Sequence, residues 1–356
     1  MKRKAILTFW IYLFAVGCSS QPKVPWNPKL SFYYWKTTYG GDLQMNGYSL
    51  DSMKSIGVDR LYIRFFDVTW DPKINQPMPT NILAIRTPGY LPDEIVPTVF
   101  ITQEAIQKVS RAEIKYFATN ILTQVKRLLG RLDKRVVPEI QLDCDWTPTT
   151  RENYFDLLEE IGKQKALLDP AVSISATIRL HQVKYRDRTG VPPVARGALL
   201  VYQTDSPLKL DARSDILDVR EAESYLSKVG AYPLPLDIAL PAFSWTAQYS
   251  HDGRFIRLIY ESDTYGFQEA LKSKQIVKKG GSIYEVAEDT YLGGLSVMKG
   301  DMLKVDESNI ADDLKILEYL KGRLATRNPH LIFFHYDSLW RFLNGGDEKL
   351  KPFLTP

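Results

Sequence analysis

The feature that most constrains this chain is a rhythm of eight short apolar runs, most of them separated by segments of helical periodicity. The runs read as strands over residues 30–35, 60–66, 95–101, 135–143, 172–180, 197–202, 236–243 and 331–336. Helical patterning falls at 50–56, 102–132 in two pieces, 149–168 with Thr149 or Thr150 as its cap, 222–228 and 310–325. Near-continuous apolar strands alternating with helices bury both sheet faces, which calls for a parallel sheet under a helix layer. Eight such units predict an α/β fold, a (β/α)8 TIM-type barrel. An open doubly wound sheet is the alternative. No Gly-rich phosphate loop follows an early strand, which weakens a nucleotide-binding version of it. Residues 246–306 exceed one loop and contain strand-like pieces of their own, so they read as an insertion after strand seven.

The fourth run carries the chemistry. Alternate residues of a strand share a face, so Glu139, Gln141, Asp143 and Asp145 point one way and Ile140, Leu142, Cys144 and Trp146 the other. In a barrel the apolar set meets the helices and the polar set fills the interior, where acids are costly unless paired or used. Asp143 and Asp145 fall at the C-terminal end of the strand, the end at which such barrels place their sites. Carboxylates at i and i+2 lie roughly 6–7 Å apart along a strand. That spacing separates their proton affinities, as an acid and its stabilising neighbour require. The competing reading is a structural acid cluster satisfied by Arg64 and Arg179.

Other strand ends supply binding candidates. Arg179, His181 and Gln182 follow the fifth strand. Asp67 ends the second, with Trp70 and Asp71 beyond it. Tyr34, Trp35, Tyr202, Trp245, Tyr336 and Trp340 are aromatic residues at strand ends, suited to stacking on sugar faces or simply to filling a wide mouth. Asp337 could join the acids. The four histidines, His181, His251, His330 and His335, show no metal-ligand spacing, so no metal and no other cofactor is expected. No Gly-x-Ser-x-Gly elbow is present, which argues against an esterase.

The segment QLDCDW, followed by a helix, resembles the fourth-strand motif of family 18 glycoside hydrolases, the chitinase type. That resemblance implies a (β/α)8 barrel acting on a glycan. Asp143 would match the aspartate that orients the substrate's acetamido group, and Asp145 the catalytic acid. Asp145 stands where the family has Glu, Gln141 where it has Asp, and Gln203, after Tyr202, where an aspartate is expected. The run from Ile238 to Trp245 resembles the family's seventh strand. The segments DCDWT, TIRLHQ, GVPP and LDIALP also resemble those of a lipoprotein family of Bacteroidota, a likeness that implies kinship and no activity. Two functions stay open: a glycosidase, and a non-catalytic glycan-binding or envelope-structural protein on a degenerate hydrolase barrel.

The first residues set an expected address. Lys2, Arg3 and Lys4 precede an apolar run from Ala5 to Val16 that is too short to span a bilayer. It ends in Ala15-Val16-Gly17-Cys18, which resembles a bacterial lipobox. Residues 1–17 then read as a signal peptide, Cys18 as the lipidated (palmitoylated) residue, 18–29 as a spacer and 30–356 as the barrel. The formal charge of +4 falls to +1 once the three leader cations leave. The basicity is therefore local to the leader, and no nucleic-acid partner is expected. The remaining cysteine, Cys144, has no disulfide partner within the chain. The expected partners are a glycan or envelope polysaccharide and, through lipid on Cys18, a membrane. A monomer is expected. The spacer carries Lys23 and no acid, which favours a periplasm-facing anchor over the cell surface, with the outer membrane as its site.

Overall fold

The computed structural model describes residues 26–40, 52–58, 60–86, 91–132, 136–211, 214, 216–260, 264–335, 348–349 and 352. Eight strands form its centre: β1 (Lys29–Tyr34), β2 (Arg60–Asp71), β3 (Glu94–Ile101), β4 (Glu139–Asp143), β5 (Ser173–Arg179), β6 (Arg196–Leu200), β7 (Leu236–Pro241) and β8 (His330–Phe334). Each pairs in parallel with the next. β8 returns to β1 with Leu331 opposite Leu30, which closes the barrel and excludes the open doubly wound alternative.

The alternation on each strand sorts its side chains as the sequence predicts. Ile140, Leu142, Cys144 and Trp146 are buried in the cluster between barrel and helices. Trp146 stacks on Tyr154 of helix Arg151–Gln164, and its indole N–H donates to the Thr189 carbonyl at 2.9 Å. Helix Ile114–Leu129 buries Phe117, Ile121, Leu122, Val125 and Leu128 at helical spacing. Thr102 caps helix Gln103–Lys108 by accepting from the Ala105 N–H at 3.3 Å. Thr150 occupies the N-cap position of Arg151–Gln164, yet its hydroxyl accepts instead from the Thr147 N–H at 2.9 Å, within the turn through Pro148.

Three elements differ from the sequence reading. β2 does not stop at Phe66: a bulge at Phe65 carries it on to Asp71, where it pairs antiparallel with Gln76–Thr80. Asp67, Trp70 and Asp71 are therefore strand residues. β4 starts at Glu139, because Pro138 has no N–H for the ladder, and Val136 makes only an isolated bridge to Glu94. β5 hands over at Leu180 to two short helices, Leu180–Lys184 and Arg186–Thr189.

After β7 the chain leaves the barrel. It builds a five-stranded antiparallel sheet in the order Phe255–Tyr260, Ser244–Tyr249, Met302–Glu307, Ile283–Val286, Ile276–Gly280. Ile259, Ala270, Ile276, Val286, Leu292, Val297 and Leu303 give this sheet and helix Thr264–Lys272 an apolar cluster of their own.

The interior of the barrel is polar at its floor. Arg60 donates to Glu94 at 2.8 Å and stands 3.9 Å from Glu139, which accepts from Ser175 at 2.9 Å. Asp237 accepts from Arg196 at 2.8 Å and from the His330 backbone N–H at 2.7 Å. The Ser31 hydroxyl lies 2.8 Å from His330 Nδ1. Above this layer Tyr33 donates to Gln141 Oε1 at 2.6 Å. The upper end of the barrel is the mouth.

Candidate functional site at the barrel mouth

Asp143 ends β4 and is buried, with 6% of its surface exposed. Thr177, the inward residue of β5 beside it, donates to its Oδ1 at 2.6 Å. Burial, followed by smaller effects, pushes the Asp143 carboxyl up to about 6. Asp145 and Asp67 push in the same direction, while Arg179 and the Thr177 hydroxyl oppose. Near neutrality this group exchanges a proton, which an ordinary carboxylate does not.

Asp145 stands one step further up, with 40% of its side chain exposed. The Arg179 guanidinium forks it: Nε meets Oδ1, and Nη2 donates to Oδ2 at 3.2 Å. The third arm of Arg179, Nη1, donates to Gln203 Oε1 at 3.0 Å. A second fork lies on β2, where Arg64 Nε donates to Asp67 Oδ1 at 2.7 Å and Arg64 Nη2 meets Asp67 Oδ2. Asn81 completes it with a 2.7 Å bond to the same carboxylate. The mouth thus pairs Asp67 and Asp145 with guanidinium groups and leaves Asp143 with a hydroxyl.

Aromatic rings line the space around these groups. Tyr202 lies 5.7 Å from Phe334 and 6.0 Å from Phe243, and Phe243 packs on Trp245 at 5.3 Å. Trp35 is half-buried, 5.8 Å from both Tyr33 and Phe334, with the Arg64 guanidinium 5.4 Å from its ring. The chain leaves Phe334 through a cis peptide to His335.

The structure gathers Asp143, Asp145, Asp67, Arg179, Trp35, Tyr202 and Trp245 at or beside the mouth. His181 is exposed on the short helix above β5. Two residues expected there lie elsewhere. Tyr34 is fully buried on the outer face of β1, its ring on Tyr39 and its hydroxyl donating to the Thr38 carbonyl at 2.6 Å. Gln182 is fully buried, accepting from the Arg179 backbone N–H at 2.7 Å and donating to the Trp146 carbonyl at 3.1 Å. Both follow from local geometry. An even step along β1 separates Tyr34 from the outward Phe32, and Gln182 is the third residue of a helix whose first turn it caps. Tyr336, Asp337 and Trp340, like Cys18, lie outside the described residues.

The sequence assigns no site role to Thr177, Asn81, Phe243, Phe334 or Gln203, all of which shape this mouth. Thr177 was legible, since alternation along the fifth strand puts it between Ser175 and Arg179. Phe334 and Phe243 carried only the signal of aromatic residues near strand ends. Gln203 was noted as a departure, and its backbone conformation had no sequence signal. Among the described residues no group of three or more His, Cys, Asp or Glu side chains is placed to hold a metal ion. None of their helices is long and apolar enough to cross a membrane.

The fold is a closed (β/α)8 barrel of the kind seen in chitinases of known structure. The chain superposes on the catalytic domain of a psychrophilic chitinase B from Arthrobacter with a TM-score of 0.52, at 11% identity, over 93% of this chain and 96% of that one. It is similar to a chitinase from Chromobacterium violaceum (TM-score 0.51, 10% identity, 90% and 98% of the two chains). It is also similar to a Group IV chitinase from Ostrinia furnacalis (TM-score 0.51, 10% identity, 93% and 100%). At these identities the likeness is one of fold. No protein-family model matches the chain, and no curated protein matches it in sequence.

Proposed function

We propose that this protein is a lipid-anchored, glycoside-hydrolase-type protein that takes a glycan into the barrel mouth, with Asp143 and Asp145 as its reactive carboxylates. The observation that carries this reading is the contrast between the two acids. One is buried and holds a proton up to about pH 6, and the other is half-exposed beside a guanidinium. Two carboxyl groups in environments that differ this much are what acid catalysis on a glycosidic bond uses. Asp145, the more exposed, is assigned the general acid, and Asp143 the stabilising neighbour beneath it, whose proton passes to Asp145 once the Arg179 fork opens. Trp35 supplies a ring face for the sugar, with the buried Tyr202 and Trp245 packed in the core beside the mouth, and Arg179, His181 and Asp67 supply the polar contacts. Lipid on Cys18 tethers the barrel to the outer membrane, facing the periplasm, where the substrate is imported glycan or the cell's own envelope polysaccharide.

The Arg179 fork favours a second reading, a non-catalytic glycan-binding protein. A carboxylate whose two oxygens both accept from one guanidinium is built as an anchor, and proton donation requires that fork to open.

Hydrolysis of a panel of aryl glycosides and envelope polysaccharides, with Asp143→Asn and Asp145→Asn alongside, separates the readings. A catalytic pair loses about 100-fold or more in kcat on removal of the acid. Glycan binding without hydrolysis in the wild type establishes the second reading. Hydrolysis unchanged in both variants removes the pair from the mechanism, and neither binding nor hydrolysis overturns the sugar site. For the anchor, Cys18→Ser should move the protein from the membrane to the soluble fraction. Protease added to intact cells should leave the wild type uncut, and digestion would contradict the periplasmic face.

A further inference from the structure

Gln203 follows β6 with φ of +57°, in the left-handed region that a side chain with a Cβ disfavours. Glycine would make the same turn with less strain. The turn alone therefore does not call for a glutamine. What glycine lacks is the amide, whose oxygen accepts from Arg179 Nη1 at 3.0 Å. With Nε and Nη2 on Asp145, that bond fixes the third corner of the guanidinium and so the plane of the fork.

Gln203 is itself held from outside the barrel. Its N–H donates to the Ile216 carbonyl at 2.7 Å. The Ile216 N–H donates to Asp306 Oδ2 at 3.0 Å, and the Ser214 hydroxyl reaches both oxygens of Asp306 at 2.9 and 3.1 Å. Asp306 is buried on strand Met302–Glu307 of the inserted sheet. Tyr249, on the neighbouring strand of that sheet, donates to the Pro207 carbonyl at 2.6 Å and pins the same loop.

We infer that Gln203 is a positioning residue of the mouth, holding the Arg179 guanidinium in its fork on Asp145, and that the inserted sheet, through Asp306, holds Gln203. The insertion thereby sets the geometry of a carboxylate in the barrel. The catalytic consequence rests on the sugar-site reading. The geometric claim does not, and its test contains no sugar, so the two fail separately.

The test reads Arg179 and Asp143 in the full chain by NMR. The Asp143 carboxyl is faced by Arg179 and Thr177 of β5, Cys144 and Asp145 just past β4, Asp67 of β2 with its Arg64, Tyr33 of β1, Tyr202 just past β6 and Tyr154 of helix Arg151–Gln164. Arg179 holds its titration down, so a loosened fork raises the midpoint. In Gln203→Gly, Arg179 Nε–H exchange should accelerate at least tenfold and the Asp143 midpoint should rise, while the thermal midpoint does not fall. A purely structural glutamine predicts the reverse: glycine keeps the turn, and both signals stay at wild-type values, which overturns the inference. Asp306→Asn should accelerate the same exchange. Unchanged exchange there, with acceleration in Gln203→Gly, overturns the role of the insertion.

Discussion

Asp143 is where the chemistry of this mouth is most sensitive to its surroundings. Its carboxyl is raised by burial and held back in part by the Thr177 hydroxyl, which favours the charged form. Thr177→Val removes that donor at similar volume. The Asp143 midpoint should therefore move above the value of about 6, and the alkaline limb of any pH profile that depends on protonated Asp143 should move with it. A limb that stays in place would detach Asp143 from the profile. Both aspartates were legible from alternation along one strand, because a strand has a period of two and barrel strands end at the mouth. Which of them would be forked by Arg179 was not legible. Arg64, Asp67, Asp145 and Arg179 were all in view as residues, but a pairing across strands depends on barrel register, and single-strand patterns do not encode it.

The elements show the same division between local pattern and long-range context. The eight strands were readable because each is a run of apolar residues flanked by polar turns. The hairpin that extends β2 was not, since a Pro-rich partner such as Gln76–Thr80 reads as loop. The short helices after β5 were hidden for a related reason: Leu180 continues the apolar run, and the switch is made by Gln182 capping the turn. They end at Gly190, with φ of +75° and ψ of −178°, a conformation almost restricted to glycine. A Cβ at that position would sit 2.9 Å from Arg151 Cδ and from Phe155 Cε2, on the neighbouring helix. Gly190→Ala should therefore cost about 2–3 kcal/mol, from backbone strain together with overpacking. Urea denaturation would check this, and a loss under about 0.5 kcal/mol, the range of surface changes, would refute it.

At the scale of the whole molecule, the buried acids of the barrel floor and mouth give an unusual stability profile. Burial raises Asp237 to about 7, Asp143 to about 6, and Glu139 as well. Unfolded carboxylates release their protons near pH ~4, so between there and pH ~7 the folded chain holds more protons and loses stability as pH rises. His330 works in the opposite sense. Burial lowers it to about 3, so stability falls as pH drops from ~6.5 to 3. His181 is lowered by burial too, and three raised carboxyls against these two imidazoles leave the acid-side preference dominant above pH ~4. Thermal unfolding should thus give a higher midpoint at pH 5 than at pH 7.5. Asp237→Asn, which keeps an acceptor for the His330 N–H, should flatten the slope. A midpoint that climbs steadily to pH 7.5 would contradict this account. The barrel as a whole was legible, because eight repeats of one local pattern have few ways to close. Its polar floor was not, because Glu94, Asp237 and His330 sit at strand starts that look like loop edges in sequence.

The way β1 enters the barrel has one more consequence. Asn27 and Lys29 donate backbone bonds to the Arg327 and Pro329 carbonyls, next to the start of β8 and at the opposite end from Asp143. About 11 residues separate Lys29 from Cys18, a span of roughly 40 Å at most. A chain tethered by that cysteine is held by its base, like a cup on a short stem. On the proposed anchoring, its opening would face the aqueous compartment and long polymers there, away from the lipid headgroups.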